Sequence, residues 1–175
     1  MEKIFYADKN VFSDSEVALR KILSVFFGIE EAEFYRNENG KPYLKNVDGL
    51  FFSVTHTAQI LFIAFSDQNV GIDAELLSRD VKLPLLLRKF SPEERNEILS
   101  VLDFLRHWTV KESVVKWLGG TLARDLNKIT YTKKQLRYGQ VDIPVRVTST
   151  FFKEHILTIC SERNFTNAEF IYLNP

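Results

Sequence analysis

The sequence predicts an α+β fold of two similar halves, about residues 1–76 and 77–175. Three observations point to it. Segments rich in β-branched and aromatic residues gather at 50–76 and again at 128–173, while 13–28 and 81–118 carry helix signals. Residues 51–65 hold two Phe, a Ser/Val/Thr strand, a turn and then an apolar run; they echo 143–160, where a Val/Thr strand and a turn lead into Ile156-Leu157-Thr158-Ile159-Cys160. No low-complexity linker separates the halves, so they must share an interface.

In chain order, residues 2–7 read as a short strand. Ser13-Asp14-Ser15-Glu16 is a capping box with Ser13 at the N-cap, and behind it Ala18, Ile22 and Val25, like Leu19, Leu23 and Phe26, keep helical spacing until Gly28 stops the helix. Asn37-Glu38-Asn39-Gly40 is turn chemistry, and Pro42 keeps Lys41 extended. Leu50–Thr55, Ile60–Ser66 and Val70–Leu76 read as three strands of an antiparallel meander. Val81–Lys89 is apolar with basic ends and reads as helix. Ser91-Pro92-Glu93-Glu94 starts another helix, with Ser at N-cap, Pro at N1 and Glu at N3, and Phe104–Leu118 is a long helix closed by Gly119-Gly120. Lys128–Thr132, Val141–Ser149, His155–Ser161 and Glu169–Leu173 complete the strands.

With 175 residues, 45% hydrophobic and 26% charged, the chain is globular rather than disordered or collagenous. Lys+Arg and Asp+Glu both total 23, so bulk charge supports neither nucleic-acid nor membrane-surface binding. A lone cysteine, Cys160, excludes an intrachain disulfide and a multi-cysteine zinc site. Residues 1–8 lack the apolar stretch of a signal peptide, and no apolar run approaches a membrane span. The expectation is a soluble, cytoplasmic protein.

Four patterns point to chemistry. In Gly71-Ile72-Asp73-Ala74-Glu75, strand alternation puts Asp73 and Glu75 on one face, about 7 Å apart along the chain. Such a pair repels unless a cation lies between, and a hard ion such as Mg²⁺ suits it. Trp108, Glu112 and Lys116 fall on one helical stripe in apolar company that leaves Glu112 and Lys116 in need of partners. Ser53-Val54-Thr55-His56-Thr57 sets a histidine between hydroxyls at a strand end, where free amides can meet a phosphate. Glu94 follows closely after the meander. Each pattern alone has an ordinary explanation: an exposed strand face, a Glu–Lys pair worth ~0.2–0.5 kcal/mol, a turn histidine, a capping box. His107 and His155 show no ligand spacing and read as structural. The absence of a Gly-rich phosphate loop argues against P-loop and Rossmann enzymes.

Taken in order, the pieces resemble the 4′-phosphopantetheinyl transferase superfamily in its single-chain, surfactin-type branch. That branch shows G-[IV]-D-[IVL]-E, then F-S-x-x-E, then W-[ST]-x-K-E-[SA]-x-x-K; here these stand as Gly71–Glu75, Phe90–Glu94 and Trp108–Lys116. Gly40-Lys41-Pro42 resembles the family's G-K-P, Phe52–Thr57 its F-N-x-S-H-S, and Ala18-Leu19-Arg20 its A-x-R. Thr55 and Thr57 replace serines, Ala74 replaces a branched residue, and Gly119-Gly120-Thr121-Leu122 lacks the basic residue of G-[KR]-G-L.

The resemblance implies pseudo-two-fold halves, each a small antiparallel sheet with a long helix, and coenzyme A in the cleft where strand 70–76 meets helix 104–118. It implies transfer of the 4′-phosphopantetheine arm of coenzyme A to a serine of an apo acyl- or peptidyl-carrier protein, with release of 3′,5′-ADP. Asp73, Glu75 and Glu112 would hold Mg²⁺, and Lys116 would stabilise or protonate the leaving phosphate. His56, Thr55 and Lys41 would receive the coenzyme's 3′-phosphate, with Pro42 beside them and Arg20 as a further candidate. The general base would be Glu112 or Glu94, with Glu112 favoured because capping already explains Glu94. Arg79–Lys89, a basic-rimmed apolar segment, is the expected docking site for an acidic carrier. A chain carrying both halves need not oligomerise, so a monomer is expected. Two rival readings are a relative that binds coenzyme A or a nucleotide without transfer, and a scaffold that only holds carrier proteins.

Overall fold

The computed structural model describes residues 2–12 and 14–174. The chain forms β1 (Lys3–Asp8), α1 (Ser15–Phe27), β2 (Phe34–Arg36), β3 (Pro42–Leu44), β4 (Phe51–His56), β5 (Ile60–Ser66) and β6 (Val70–Leu76). There follow α2 (Leu83–Leu86), α3 (Pro92–Glu97), α4 (Val101–Leu118) and α5 (Leu122–Asp125). The last strands are β7 (Ile129–Thr132), β8 (Gln135–Tyr138), β9 (Val141–Asp142), β10 (Arg146–Phe152), β11 (His155–Ser161) and β12 (Glu169–Tyr172).

Two sheets stacked face to face make the core. The first has the order β12-β1-β5-β4 and the second β10-β11-β6; all their pairs are antiparallel except β1 with β12. Strand alternation distributes the side chains between layers. Ile4, Phe62 and Ala64 from the first sheet meet Val70, Ile72, Ala74, Leu157 and Ile159 from the second. On the outer face of the first sheet, Phe5, Ile63 and Phe65 pack with Ala18, Leu19, Ile22 and Leu23 of α1. On the outer face of the second, Cys160 packs with Val110, Val114 and Val115 of α4. The layers therefore run helix, sheet, sheet, helix, and the expected α+β class is the observed one. Among the described residues no helix is long and apolar enough to cross a membrane.

Local signals account for the helix ends. Asp14 caps α1 by accepting from the amides of Glu16 and Val17 at 2.8 and 3.0 Å; the expected cap, Ser13, lies outside the described residues. Gly28 closes the helix in the left-handed region (φ 67°), with the Ile29 amide returning to the Leu23 carbonyl. Val25 points outward rather than into the core, because the buried stripe of α1 ends at Leu23. Ser91 and Glu94 form the reciprocal capping box of α3 as expected.

The structure corrects two strand readings. Residues 50–76 are not a three-stranded meander. β4 and β5 form a hairpin, but β1 occupies the other edge of β5, so no edge of β5 is left for β6. β6 instead pairs with β11, from Val70 opposite Ser161 to Leu76 opposite His155. Val141–Ser149 is not one strand either: Pro144 lacks an amide for the ladder, and the segment divides into β9 and β10. The short strands β2, β3 and β8 were not foreseen. Both main sheets share one connectivity, since β4-β5-β1 and β10-β11-β6 each join a hairpin to a strand that precedes a long helix.

Candidate functional site

The site lies where β6 meets α4. On β6 the odd-numbered residues face the helix, so Gly71, Asp73 and Glu75 lie beneath it. Gly71 permits the approach: a Cβ there would collide with the Ser113 carbonyl oxygen and stand 2.5 Å from the Trp117 backbone nitrogen. With the helix this low, Glu112 reaches the strand. One carboxylate oxygen from each of Asp73, Glu75 and Glu112 lies within 4.8 Å of the others.

The surroundings of this cluster are uneven. Asp73 is 3% exposed, and its Oδ1 accepts from Lys116 Nζ at 2.7 Å and from Thr55 Oγ1 at 3.1 Å. Its Oδ2 is buried and has no hydrogen-bond partner among the described residues. Glu75 pairs with Arg79, whose guanidinium stands over the Trp108 ring. Burial, and then the Asp73 charge, push the Glu112 carboxyl up to about 8. Burial first, with Asp73 adding to it, also raises Glu75, while Arg79 opposes the shift. Three carboxylates therefore converge on two cations in a partly dehydrated place. The donor set of hard oxygens and the unpartnered Asp73 Oδ2 fit a divalent cation such as Mg²⁺.

Two clefts share part of their lining, and Lys116, the partner of Asp73, lines one of them. A smaller one, of about 250 Å³, is lined by Gly40, Lys41, Pro42, Val54, Lys116 and Gly120. A larger one, of about 490 Å³, is lined by Arg20, Phe34, Tyr35, Arg36, Pro42 and Val54. Pro42 and Val54 line both, with Lys41 and Lys116 in the smaller cleft and Arg20 and Arg36 in the larger. Asn37 and Asn39 donate to the Gly119 carbonyl at 2.8 and 2.9 Å, clamping the 37–41 turn onto the end of α4. A cleft of about 690 Å³ lined by Tyr131, Lys134 and Arg146 contains none of the expected site residues.

The expected residues are therefore brought together unequally. Lys41 is tied to Asn69 Oδ1 and the carbonyls of Val70 and Trp117, at 3.0 to 3.5 Å, and burial lowers its ammonium to about 8. Arg20 pairs with Glu16 at 2.7 Å and lies over the Phe34 ring. His56 is exposed at the end of β4 and lines neither of the clefts that share Pro42 and Val54. Thr55 is turned inward to Asp73. Glu94 lies outside the carboxylate cluster: it is fully buried, accepting from the Ser91 and Tyr131 amides and pairing with Lys111 at 3.0 Å.

Sequence reasoning missed Arg36 and Tyr35 in the larger cleft because β2 is only three residues long. Arg79 belongs to the expected docking segment, and nothing in the sequence points to its pairing with Glu75. The spacing of four residues between them gives no signal across a strand end.

A family model described as the 4′-phosphopantetheinyl transferase superfamily matches residues 69–166, which include β6 and α4. The chain is 24% identical over 148 residues to 4′-phosphopantetheinyl transferase Sfp of Bacillus subtilis (strain 168), covering 80% of this chain and 66% of that protein. It is 29% identical over 126 residues to 4′-phosphopantetheinyl transferase HetI of Nostoc sp., covering 65% and 53%. It is 29% identical over 161 residues to the L-aminoadipate-semialdehyde dehydrogenase-phosphopantetheinyl transferase of Saccharomyces cerevisiae, covering 79% and 59%. In these alignments the chain spans between half and two thirds of each relative's length.

Proposed function

Because the chain belongs to the 4′-phosphopantetheinyl transferase superfamily, we propose that it moves the 4′-phosphopantetheine arm of coenzyme A onto a serine hydroxyl of an apo acyl- or peptidyl-carrier protein, releasing 3′,5′-ADP. The observation that carries this reading is the three-carboxylate cluster with Lys116 one helical turn beyond Glu112. Asp73, Glu75 and Glu112 would hold Mg²⁺, which when bound offsets charge on the pyrophosphate as its bridging P–O bond breaks.

The chain's own residues have distinct tasks. The carrier's serine oxygen bonds to the phosphorus bearing the pantetheine arm, and the electrons of the broken P–O bond leave with 3′,5′-ADP. Glu112, at the carboxylate cluster one helical turn before Lys116, takes the serine proton in this reading. Glu94 is the weaker candidate, because both of its oxygens are already engaged. Lys116 touches Asp73 and also lines the smaller cleft, so its Nζ can turn to the departing phosphate oxygen. The two clefts that share Pro42 and Val54 are the proposed seat of the coenzyme, with Arg20, Arg36 and Lys41 as their cations. Lys41 exchanges carbonyl partners for phosphate in this scheme, while His56, which lines neither cleft, is left without a contact in it.

Carrier docking is proposed for residues 79–89. Leu83, Leu86 and Leu87 are partly buried against Phe90 and Phe104, which leaves Leu85, 57% exposed, among the exposed Lys82, Arg88 and Lys89. An acidic carrier with an apolar ridge complements that surface.

The test is to incubate the protein with coenzyme A, Mg²⁺ and a panel of apo carrier proteins, then weigh each carrier intact. A carrier heavier by one phosphopantetheine arm, only with metal and only with Asp73 intact, is the expected result. Coenzyme A binding with no mass shift on any carrier would favour a binding-only relative.

A further inference from the structure

Asp73 presents two unlike oxygens. Oδ1 is held by two donors, Lys116 Nζ and Thr55 Oγ1, while Oδ2 is buried without a hydrogen-bond partner among the described residues. A carboxylate fixed through one oxygen offers the other in a set direction. Free rotation about the Asp side chain would otherwise spread that direction widely.

The two donors differ in permanence. Lys116 is a long side chain, 29% exposed, that the proposed reaction draws toward phosphate. Thr55 is β-branched and stiff, and 6% exposed. Its strand is also pinned beside Asp73. Thr55 pairs with Phe62 of β5, and two residues earlier Ser53 Oγ accepts from the Ile72 amide, next to Asp73, at 3.1 Å. β4 and β6 are the edge strands of their respective sheets, and these two side-chain bonds join them at the site.

We infer that Thr55 is a positioning residue for Asp73: it holds Oδ1 from β4 so that Oδ2 is offered to the cation even after Lys116 has turned away. This rests on reading the carboxylate cluster as a divalent-cation site. It differs from the expectation that the Thr55 hydroxyl grips the coenzyme's 3′-phosphate, since one hydroxyl proton cannot serve both acceptors.

The experiment compares wild type, Thr55→Val and Thr55→Ser, with Thr55→Ala as the alternative if the valine disturbs folding as judged by near-ultraviolet circular dichroism. Mn²⁺ binding is read from the spin resonance of the free ion. Affinities for coenzyme A and 3′-dephospho-coenzyme A are measured separately in chelator. Thr55→Val, or Thr55→Ala in its place, is expected to weaken Mn²⁺ binding about tenfold, with Thr55→Ser restoring it to within about threefold of wild type. The ratio of the two coenzyme affinities should stay at the wild-type value. Unchanged Mn²⁺ binding in the variant lacking the hydroxyl overturns this inference alone. A collapsed preference for coenzyme A over its dephospho form, with Mn²⁺ binding intact, restores the phosphate role to Thr55. Failure of the wild type to bind Mn²⁺ overturns the cation site and this inference together.

Discussion

Gly71 on β6 lies so close beneath Ser113 on α4 that the strand has no room for a side chain at that position. The contact sets the height of the helix above the strand, and so the distance from Glu112 to Asp73 and Glu75. Gly71→Ala must lift α4 or bend β6, because both obstructing atoms, Ser113 O and Trp117 N, are backbone. The expected cost is about 1–3 kcal/mol of stability together with weaker Mn²⁺ binding. Chemical denaturation and an Mn²⁺ titration check this, and a wild-type result in both would show that α4 is not seated through Gly71.

The cluster makes stability depend on pH in the metal-free protein. Glu112 has its folded value raised to about 8 from an ordinary 4.5, so between those values the folded state binds more protons than the unfolded. Its stabilising contribution is complete below 4.5 and is lost as pH rises toward 8. Lys41 acts in the next window: its folded value is lowered to about 8 from 10.5, so its contribution is complete above 10.5 and lost as pH falls to 8. From these two groups together, melting temperature in chelator should dip near pH 8. Glu112→Gln should flatten the acidic side of the dip. Added Mg²⁺ should raise the melting temperature more at pH 8 than at pH 6, and an equal rise at both would contradict the raised Glu112.

Glu94 separates stability from chemistry. Its pair with Lys111 is fully buried, so Glu94→Gln leaves a lysine charge without its counter-ion and should cost about 3–5 kcal/mol. The folded variant should keep its transfer rate within tenfold of wild type, about 1.4 kcal/mol of barrier or less. A thousandfold loss in rate with stability intact would make Glu94 the base. Replacing both partners, Glu94→Gln with Lys111→Met, should recover part of the lost stability.

Carrier docking is tested most cleanly away from Arg79, which is committed to Glu75 and Trp108. Lys82→Glu with Arg88→Glu reverses two exposed charges in residues 79–89. The expected outcome is a raised KM for carrier and an unchanged KM for coenzyme A. An unchanged carrier KM would remove this segment from the docking surface.

Much of the site was legible in the sequence because it depends on short spacings. Two residues along a strand put Asp73 and Glu75 on one face, and four along a helix align Trp108, Glu112 and Lys116. Cap and turn chemistry likewise located Gly28, Ser91 and the 37–40 turn, since each acts on amides only a few residues away. What lay beyond local rules was decided by the tertiary structure. The partner of β6 depended on β1 taking the free edge of β5, a competition between residues more than fifty positions apart. The same held for Thr55, whose sequence neighbours suggested phosphate. Its hydroxyl turns to Asp73 because the edges of two sheets converge there, and for Glu94 it was burial against Lys111 that took up the remaining carboxylate capacity. Periodicity determines which face a side chain takes, whereas what that face meets depends on packing between distant segments.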